Sequence, residues 1–132
     1  MPIDVQSNPT LPNLVHYTFT GRWTWDEFFQ AVKVEACLVR PLNGARYDVI
    51  GDFLQTSYLP NGSSVGNVYR VLMQAKTRGW GSTIVVTPHL FIRMMAQTLP
   101  KLHPDFRTTF LACDTLEKAY ALIAQSREAA GV

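Results

Sequence analysis

Strand-like and helix-like segments alternate along this chain, and that alternation restricts the available folds more than any other feature. Short runs that are apolar or alternate between apolar and polar residues predict strands at residues 14–20, 46–53, 83–86 and 106–113. A longer segment with apolar residues at helical spacing follows each of them. Strands joined through helices normally form right-handed crossovers in a parallel sheet. The sequence therefore predicts an α/β fold with helices on at least one face of the sheet.

Local capping signals mark the ends of three predicted helices. Thr24 and Glu27 stand at capping-box spacing ahead of the first helix, and Asp114 and Glu117 stand at the same spacing ahead of the last. Gly79 is expected to close the second helix, predicted over residues 64–78.

The third predicted helix is the most apolar. Thr87 is expected to cap it, with Pro88 in its first turn, and Pro100 and Pro104 are expected to disrupt its end. It carries more apolar side chains than one buried stripe needs, which predicts a second apolar face. These residues are Leu90, Phe91, Ile92, Met94, Met95, Leu99 and Leu102.

The length of 132 residues fits one domain, which we expect to cover residues 1–132. Residues 1–13 contain three prolines and are predicted to form a peripheral segment with at most a short edge strand near residues 3–6. Residues 126–132 are predicted to fray. The expected architecture is a four- to five-stranded, mostly parallel sheet with an antiparallel N-terminal edge and about four helices.

Composition and charge exclude several classes of protein. Apolar residues make up 47% of the chain and charged residues 17%, which predicts an ordered core. A net charge of +2, with Lys and Arg scattered along the chain, argues against nucleic-acid binding. No apolar run approaches the roughly 20 residues that span a bilayer, so we expect no membrane span and a cytoplasmic location.

Candidate catalytic and metal-binding groups do not form a recognisable set. His16, His89 and His103 fall on a predicted strand, at a helix start and beside a proline, and no nucleophile has a familiar catalytic signature. Cys37 and Cys113 lack metal-type spacing and are expected to be reduced thiols. The sequence predicts no enzyme activity, no metal and no cofactor.

The order of elements and several local strings resemble the STAS domain, the SpoIIAA-like fold of bacterial anti-sigma factor antagonists. Residues 19–23 are similar to the family's strand and glycine turn before the first helix, and residues 47–52 to its apolar strand ending in Asp. Residues 78–81 resemble its glycine-containing entry to the next strand, and residues 115–119 its last helix. The resemblance covers nearly the whole chain.

The resemblance implies a phosphoacceptor where the second helix begins. In the family this helix opens with Asp-Ser-Ser/Thr-Gly, and a partner kinase that is also the anti-sigma factor phosphorylates the hydroxyl. The corresponding place here contains Asn61, Gly62, Ser63 and Ser64. Ser63 and Ser64 are therefore candidate phosphoacceptors, and Asp52 belongs with Asn61 and Gly62 to the candidate switch edge. The alternative is that Ser64 only caps the helix and Asp52 only fixes the loop.

These observations favour a non-enzymatic module for regulatory protein–protein interaction. Its expected partners are a kinase or anti-sigma-like protein, as the resemblance implies, and a second copy of the chain bound through residues 90–102. An alternative is a protein that binds a small apolar ligand or lipid, and either reading uses Phe91, Met94 and Met95 as the candidate surface. A hydrolase or transferase is a second alternative, supported only by isolated nucleophiles.

Overall fold

Five strands form one sheet in the same order as they occur along the chain, in a computed structural model that describes residues 2–62 and 64–131. β1 is antiparallel to β2, and the remaining neighbours pair in parallel. This confirms the predicted α/β sheet with an antiparallel N-terminal edge. The strands are β1 (Ile3–Ser7), β2 (Leu14–Thr20), β3 (Tyr47–Gln55), β4 (Trp80–Val86) and β5 (Phe110–Cys113).

Four α-helices cover the two faces of the sheet unequally. Three of them pack with the larger apolar core on one face, and the fourth packs on the other face with a smaller core that contains Ala119 and Ile123. The helices are α1 (Trp25–Val39), α2 (Ser64–Lys76), α3 (Leu90–Leu102) and α4 (Leu116–Ala129), with short 3-10 turns at Arg40–Leu42 and Pro104–Phe106.

The central strand β3 is buried on both faces, as expected for a strand with parallel neighbours. Because side chains alternate along a strand, Val49 and Phe53 join the core under α1, α2 and α3, whereas Ile50 joins the core under α4. The neighbouring residues Asp48 and Asp52 share the α4 side of the sheet with Ile50.

The helix start with the clearest sequence signal is confirmed. Thr24 caps α1: its side chain accepts the Glu27 N–H at 3.1 Å, and the Glu27 carboxylate accepts the Thr24 N–H at 2.9 Å. The start of α4 is shifted by one residue, because Thr115 rather than Asp114 caps it and accepts the Lys118 N–H. Asp114 instead forms an exposed ion pair with the Lys118 side chain.

The prediction for the start of α3 is wrong, because His89 rather than Thr87 occupies the N-cap position, and its side chain makes no capping hydrogen bond. Thr87 remains with the sheet: its N–H donates to the Cys113 carbonyl, and its hydroxyl oxygen accepts the His89 N–H. Pro88 therefore precedes the helix. Pro100 lies inside α3 without ending it, since a missing donor close to a helix end removes only one of the last hydrogen bonds.

Other predicted boundaries also differ from the structure. β4 begins at Trp80 because its first residues pair with the start of β3, which the short β-branched run at residues 83–86 did not reveal. The strand predicted over residues 106–113 is shortened to β5, and a 3-10 turn precedes it. The tail predicted to fray continues as helix to Ala129, because the Ser126 and Arg127 side chains form hydrogen bonds with Arg46 and Asp48 around the beginning of β3.

Candidate functional site

A cavity of about 120 Å³ lies between the sheet and the three helices that cover its larger core. Its wall is almost entirely apolar and comes from β2, β3 and β4 together with α1, α2 and α3. Aromatic rings dominate one end: Phe19 stacks on Phe53 with centroids 4.2 Å apart, and Trp23 lies 4.9 Å from Phe19 and 5.0 Å from Trp25. Alternation along the strands directs Phe19 and Phe53 to this face.

Among the described residues that line the cavity, Glu35 of α1 supplies the one carboxyl group, and it is only 3% exposed. It accepts hydrogen bonds from two phenol groups, the Tyr17 hydroxyl on one oxygen and the Tyr47 hydroxyl at 2.7 Å on the other. The Arg78 guanidinium lies 3.9 Å away. Burial, followed by the neighbouring Glu35 carboxylate, raises the pKa of Tyr17 and Tyr47 well above the ordinary value for tyrosine.

This buried cluster is a feature that the sequence analysis missed. Glu35 occupies a helix position between Val32 and Val39, at the i+3 and i−4 spacing of the buried stripe. An acidic residue at a helix position where the neighbouring turns carry apolar residues indicates a buried, hydrogen-bonded carboxyl group. The identity of its partners depends on the strands that pack against α1 and is not visible in the local sequence.

The loop between β3 and α2 is attached to the beginning of α1 and the turn before it. The Trp23 indole N–H donates to the Tyr58 carbonyl at 3.1 Å, and the Trp25 indole N–H donates to the Asn61 carbonyl at 3.2 Å. The Thr56 hydroxyl donates to the Gly21 carbonyl at 2.7 Å. Two of these three contacts are made by Trp23 and Trp25, which line the cavity.

The candidate switch residues of this loop have different environments. Asn61 and Gly62 are exposed, and Gly62 has φ +111°, a conformation suited to glycine. Ser64 begins α2, is half-buried and lines the cavity. Ser63 lies outside the described residues.

Asp52 faces away from this loop edge and from the cavity. It lies inside β3 rather than at its end, on the face opposite Phe53. One carboxylate oxygen is 3.0 Å from Nε2 of His16, and the other accepts the Leu54 N–H at 2.9 Å. Burial alone would raise the pKa of Asp52, but the hydrogen bonds from His16 and Leu54 together lower it below the ordinary value.

The three apolar candidates on α3 are divided between two surfaces. Phe91 and Met94 are 59% and 56% exposed on the outer side of the helix, whereas Met95 lines the cavity. The predicted second apolar face of α3 therefore exists, and Leu90 and Leu102 extend it.

The histidines and cysteines are dispersed over the fold. His16 lies in β2, while His89 and His103 lie at opposite ends of α3, and Cys37 and Cys113 are free thiols. Across residues 2–62 and 64–131, no three His, Cys, Asp or Glu side chains are arranged to hold a metal ion. No helix in those two ranges combines the length and the apolar character needed to cross a bilayer.

Comparison with known proteins identifies the fold. No family model and no curated protein matches the sequence. Among solved structures, the chain is similar to the Bacillus cell fate determinant SpoIIAA in its phosphorylated form, with a TM-score of 0.53 and 19% sequence identity. The match covers 92% of this chain and 98% of SpoIIAA. The STAS resemblance of the sequence is thereby confirmed for the architecture: the chain has the SpoIIAA fold.

Proposed function

We propose that this protein is a non-enzymatic regulatory module that binds other proteins, and that its α3 outer face associates with a second copy of the chain. The α3 outer face consists of Leu90, Phe91, Met94 and Leu102. Its exposure is the observation that carries the proposal, since Leu90 alone is 67% exposed. Several large apolar side chains grouped on one helix are typical of interaction surfaces.

The arrangement of the helix supports a packing surface rather than scattered exposure. At 100° per residue, Leu90, Phe91 and Met94 fall within about 100° of the helix circumference. Ile92 and Leu99 point to the opposite side and are buried in the fold. Self-association through one helix face fits a two-fold dimer, in which each copy contributes the same surface. Unbranched methionine adapts readily to an apposed surface.

Light scattering after size exclusion tests this proposal. The wild type is expected at twice the chain mass of 14.9 kDa, and Met94→Asp is expected at the chain mass because a carboxylate would be buried in the interface. Gln125→Asp places the same charge on an exposed position of α4 and should remain dimeric. A wild type that stays monomeric at every concentration would overturn self-association through α3.

Regulation by phosphorylation belongs to the same proposal, with Ser63 or Ser64 as the acceptor and a kinase or anti-sigma-like protein as the partner. It is supported by the family resemblance at residues 61–64 and by the fold shared with SpoIIAA, whose structure was determined in a phosphorylated form. A phosphate near the first turn of α2 gains about 0.3–1 kcal/mol from the helix dipole.

Intact mass of the protein from its native cells, measured before and after phosphatase treatment, tests this regulation. A phosphate that is removed by the enzyme and maps to one of the two serines is expected. An unmodified chain under several growth conditions would contradict it.

We propose the cytoplasm as the compartment, which the two free thiols support because thiols stay reduced there.

A further inference from the structure

We propose that the cavity between the sheet and α1, α2 and α3 binds one small, uncharged, apolar molecule the size of a single aromatic ring. This site is separate from the α3 outer face and does not depend on the function proposed above. Its volume of about 120 Å³ is close to that of dry cavities, about 150 Å³, that are lined by Leu, Ile and Phe and take up benzene.

Three polar side chains of the cavity wall already donate their hydrogen bonds within the protein. The Tyr17 hydroxyl donates to Glu35, the Trp80 indole N–H donates to the Thr83 hydroxyl oxygen at 2.9 Å, and the Trp23 indole N–H donates to a loop carbonyl. A ligand with hydroxyl or amide groups would lose its hydrogen bonds to water without replacement from these groups. The unreplaced hydrogen bonds to water therefore favour a ligand that has no strong hydrogen-bond donors or acceptors.

Charge in the wall also restricts the ligand. Both Glu35 carboxyl oxygens accept hydrogen bonds from phenol groups, and the Arg78 guanidinium lies 3.9 Å from one of these oxygens. An anionic ligand would approach the Glu35 carboxylate, which lines the cavity, whereas Arg78 does not line it, and burial strengthens the repulsion between the two negative charges. Carboxylic acids of the same size are therefore rejected.

The aromatic end of the cavity favours a ring over an aliphatic chain. Phe19, Phe53 and Trp23 present ring faces and edges at centroid separations of 4.2 to 6.1 Å from one another, the range in which aromatic rings attract each other. Trp25, Val65 and Met95 line the same cavity and are half-buried.

Gly51 provides a way to fill the cavity without disturbing the fold. It lines the cavity from the centre of β3, and a Cβ atom there would contact only the Phe53 and Val85 side chains, at 3.8 and 4.0 Å. These are ordinary van der Waals distances. Gly51→Ala therefore removes part of the cavity, and Gly51→Val removes more while adding a residue suited to a strand.

The experiment is a benzene titration of the full chain followed by calorimetry and by the shift in melting temperature. We expect saturable binding to the wild type, weakening in the order wild type, Gly51→Ala, Gly51→Val, with at least a tenfold loss in the last. Gln125→Ala changes an exposed residue of α4, outside both the cavity and the α3 outer face, and should bind benzene like the wild type. Benzoate, with the same ring and a negative charge, should not bind.

Three results would overturn the proposal. They are a wild type without saturable benzene binding, a folded Gly51→Val protein with undiminished affinity, and benzoate binding as tight as that of benzene. Circular dichroism establishes that both glycine variants are folded. If Gly51→Val does not fold, an unchanged affinity in Gly51→Ala is the decisive contrary result.

Discussion

The Arg127 side chain near the end of α4 lies 2.7 Å from a carboxylate oxygen of Asp48, which is 79 residues earlier in β3. Asp48 is completely buried and also accepts hydrogen bonds from the Arg46 guanidinium at 2.9 Å and the Ser82 hydroxyl at 2.7 Å. This one carboxylate therefore joins the last helix to two strands of the sheet.

Removal of Asp48 is expected to destabilise the fold strongly. Asp48→Ala leaves two guanidinium groups without their shared partner, and loss of one side of such a buried pair costs about 3–5 kcal/mol of unfolding free energy. Arg127→Ala should cost less, because Arg46 and Ser82 still bond to Asp48. Urea denaturation measures both. Lys118→Ala breaks the exposed pair with Asp114 and serves as the control, with little effect expected.

The contact between His16 and Asp52 should make stability depend on acid pH. Because the pKa of Asp52 is lowered in the fold, its stabilising effect is present above the unfolded value of about 3.9 and is lost as pH falls through the lower folded value. The difference in stability between wild type and Asp52→Asn should therefore be largest near neutral pH and narrow below about pH 4. Denaturation across pH 3–7 measures it.

A double-mutant cycle shows whether His16 is the partner responsible. His16→Gln alone should reduce the stability that the wild type loses between neutral pH and pH 3. Adding His16→Gln to Asp52→Asn should change the free energy of unfolding little further. Fully additive effects of the two substitutions would contradict a direct coupling between the side chains.

The two phenol groups on Glu35 are expected to limit stability at alkaline pH. Their pKa values are raised in the fold, so the stabilising contribution is present below the unfolded value of about 10 and is lost as pH rises above it. Ultraviolet titration should show two tyrosines that ionise only as the protein unfolds. Tyr17→Phe and Tyr47→Phe should each remove one of them, whereas normal titration of every tyrosine would contradict the buried cluster.

Gly79 is expected to tolerate no side chain. It has φ +104°, and a Cβ atom would lie 2.6 Å and 2.7 Å from the carbonyl oxygens of Ala45 and Gly44. Backbone strain and the clash together should cost about 2–3 kcal/mol in Gly79→Ala. Gly21→Ala is the matched control, since Gly21 also has positive φ but open space around it, and it should cost about 1 kcal/mol. Thermal denaturation compares the two variants.

The features that sequence reasoning predicted well are governed by neighbours along the chain. The alternation of apolar and polar residues predicts both ends of β2 correctly, and the capping box of Thr24 and Glu27 predicts the start of α1. Both signals depend on residues that are close together in the chain. The same locality explains the second apolar face of α3, which follows from helical spacing alone.

The features that were missed depend on residues far apart in the chain. Thr87 was predicted as a cap because its sequence context fits one, but pairing with Cys113 holds it in the sheet. Residues 126–132 are predicted to fray because nothing in the local sequence shows that Arg127 reaches Asp48.

Periodicity and capping depend on near neighbours, so the order of strands and helices, and hence the α/β class, can be read from the amino-acid sequence. The outward position of Met94, the place of Met95 in the cavity wall and the enclosure of Glu35 by Tyr17 and Tyr47 become visible only in the folded protein. Those outcomes depend on how three helices pack against one face of the sheet. The free energy of that packing is shared among residues that have no proximity in sequence.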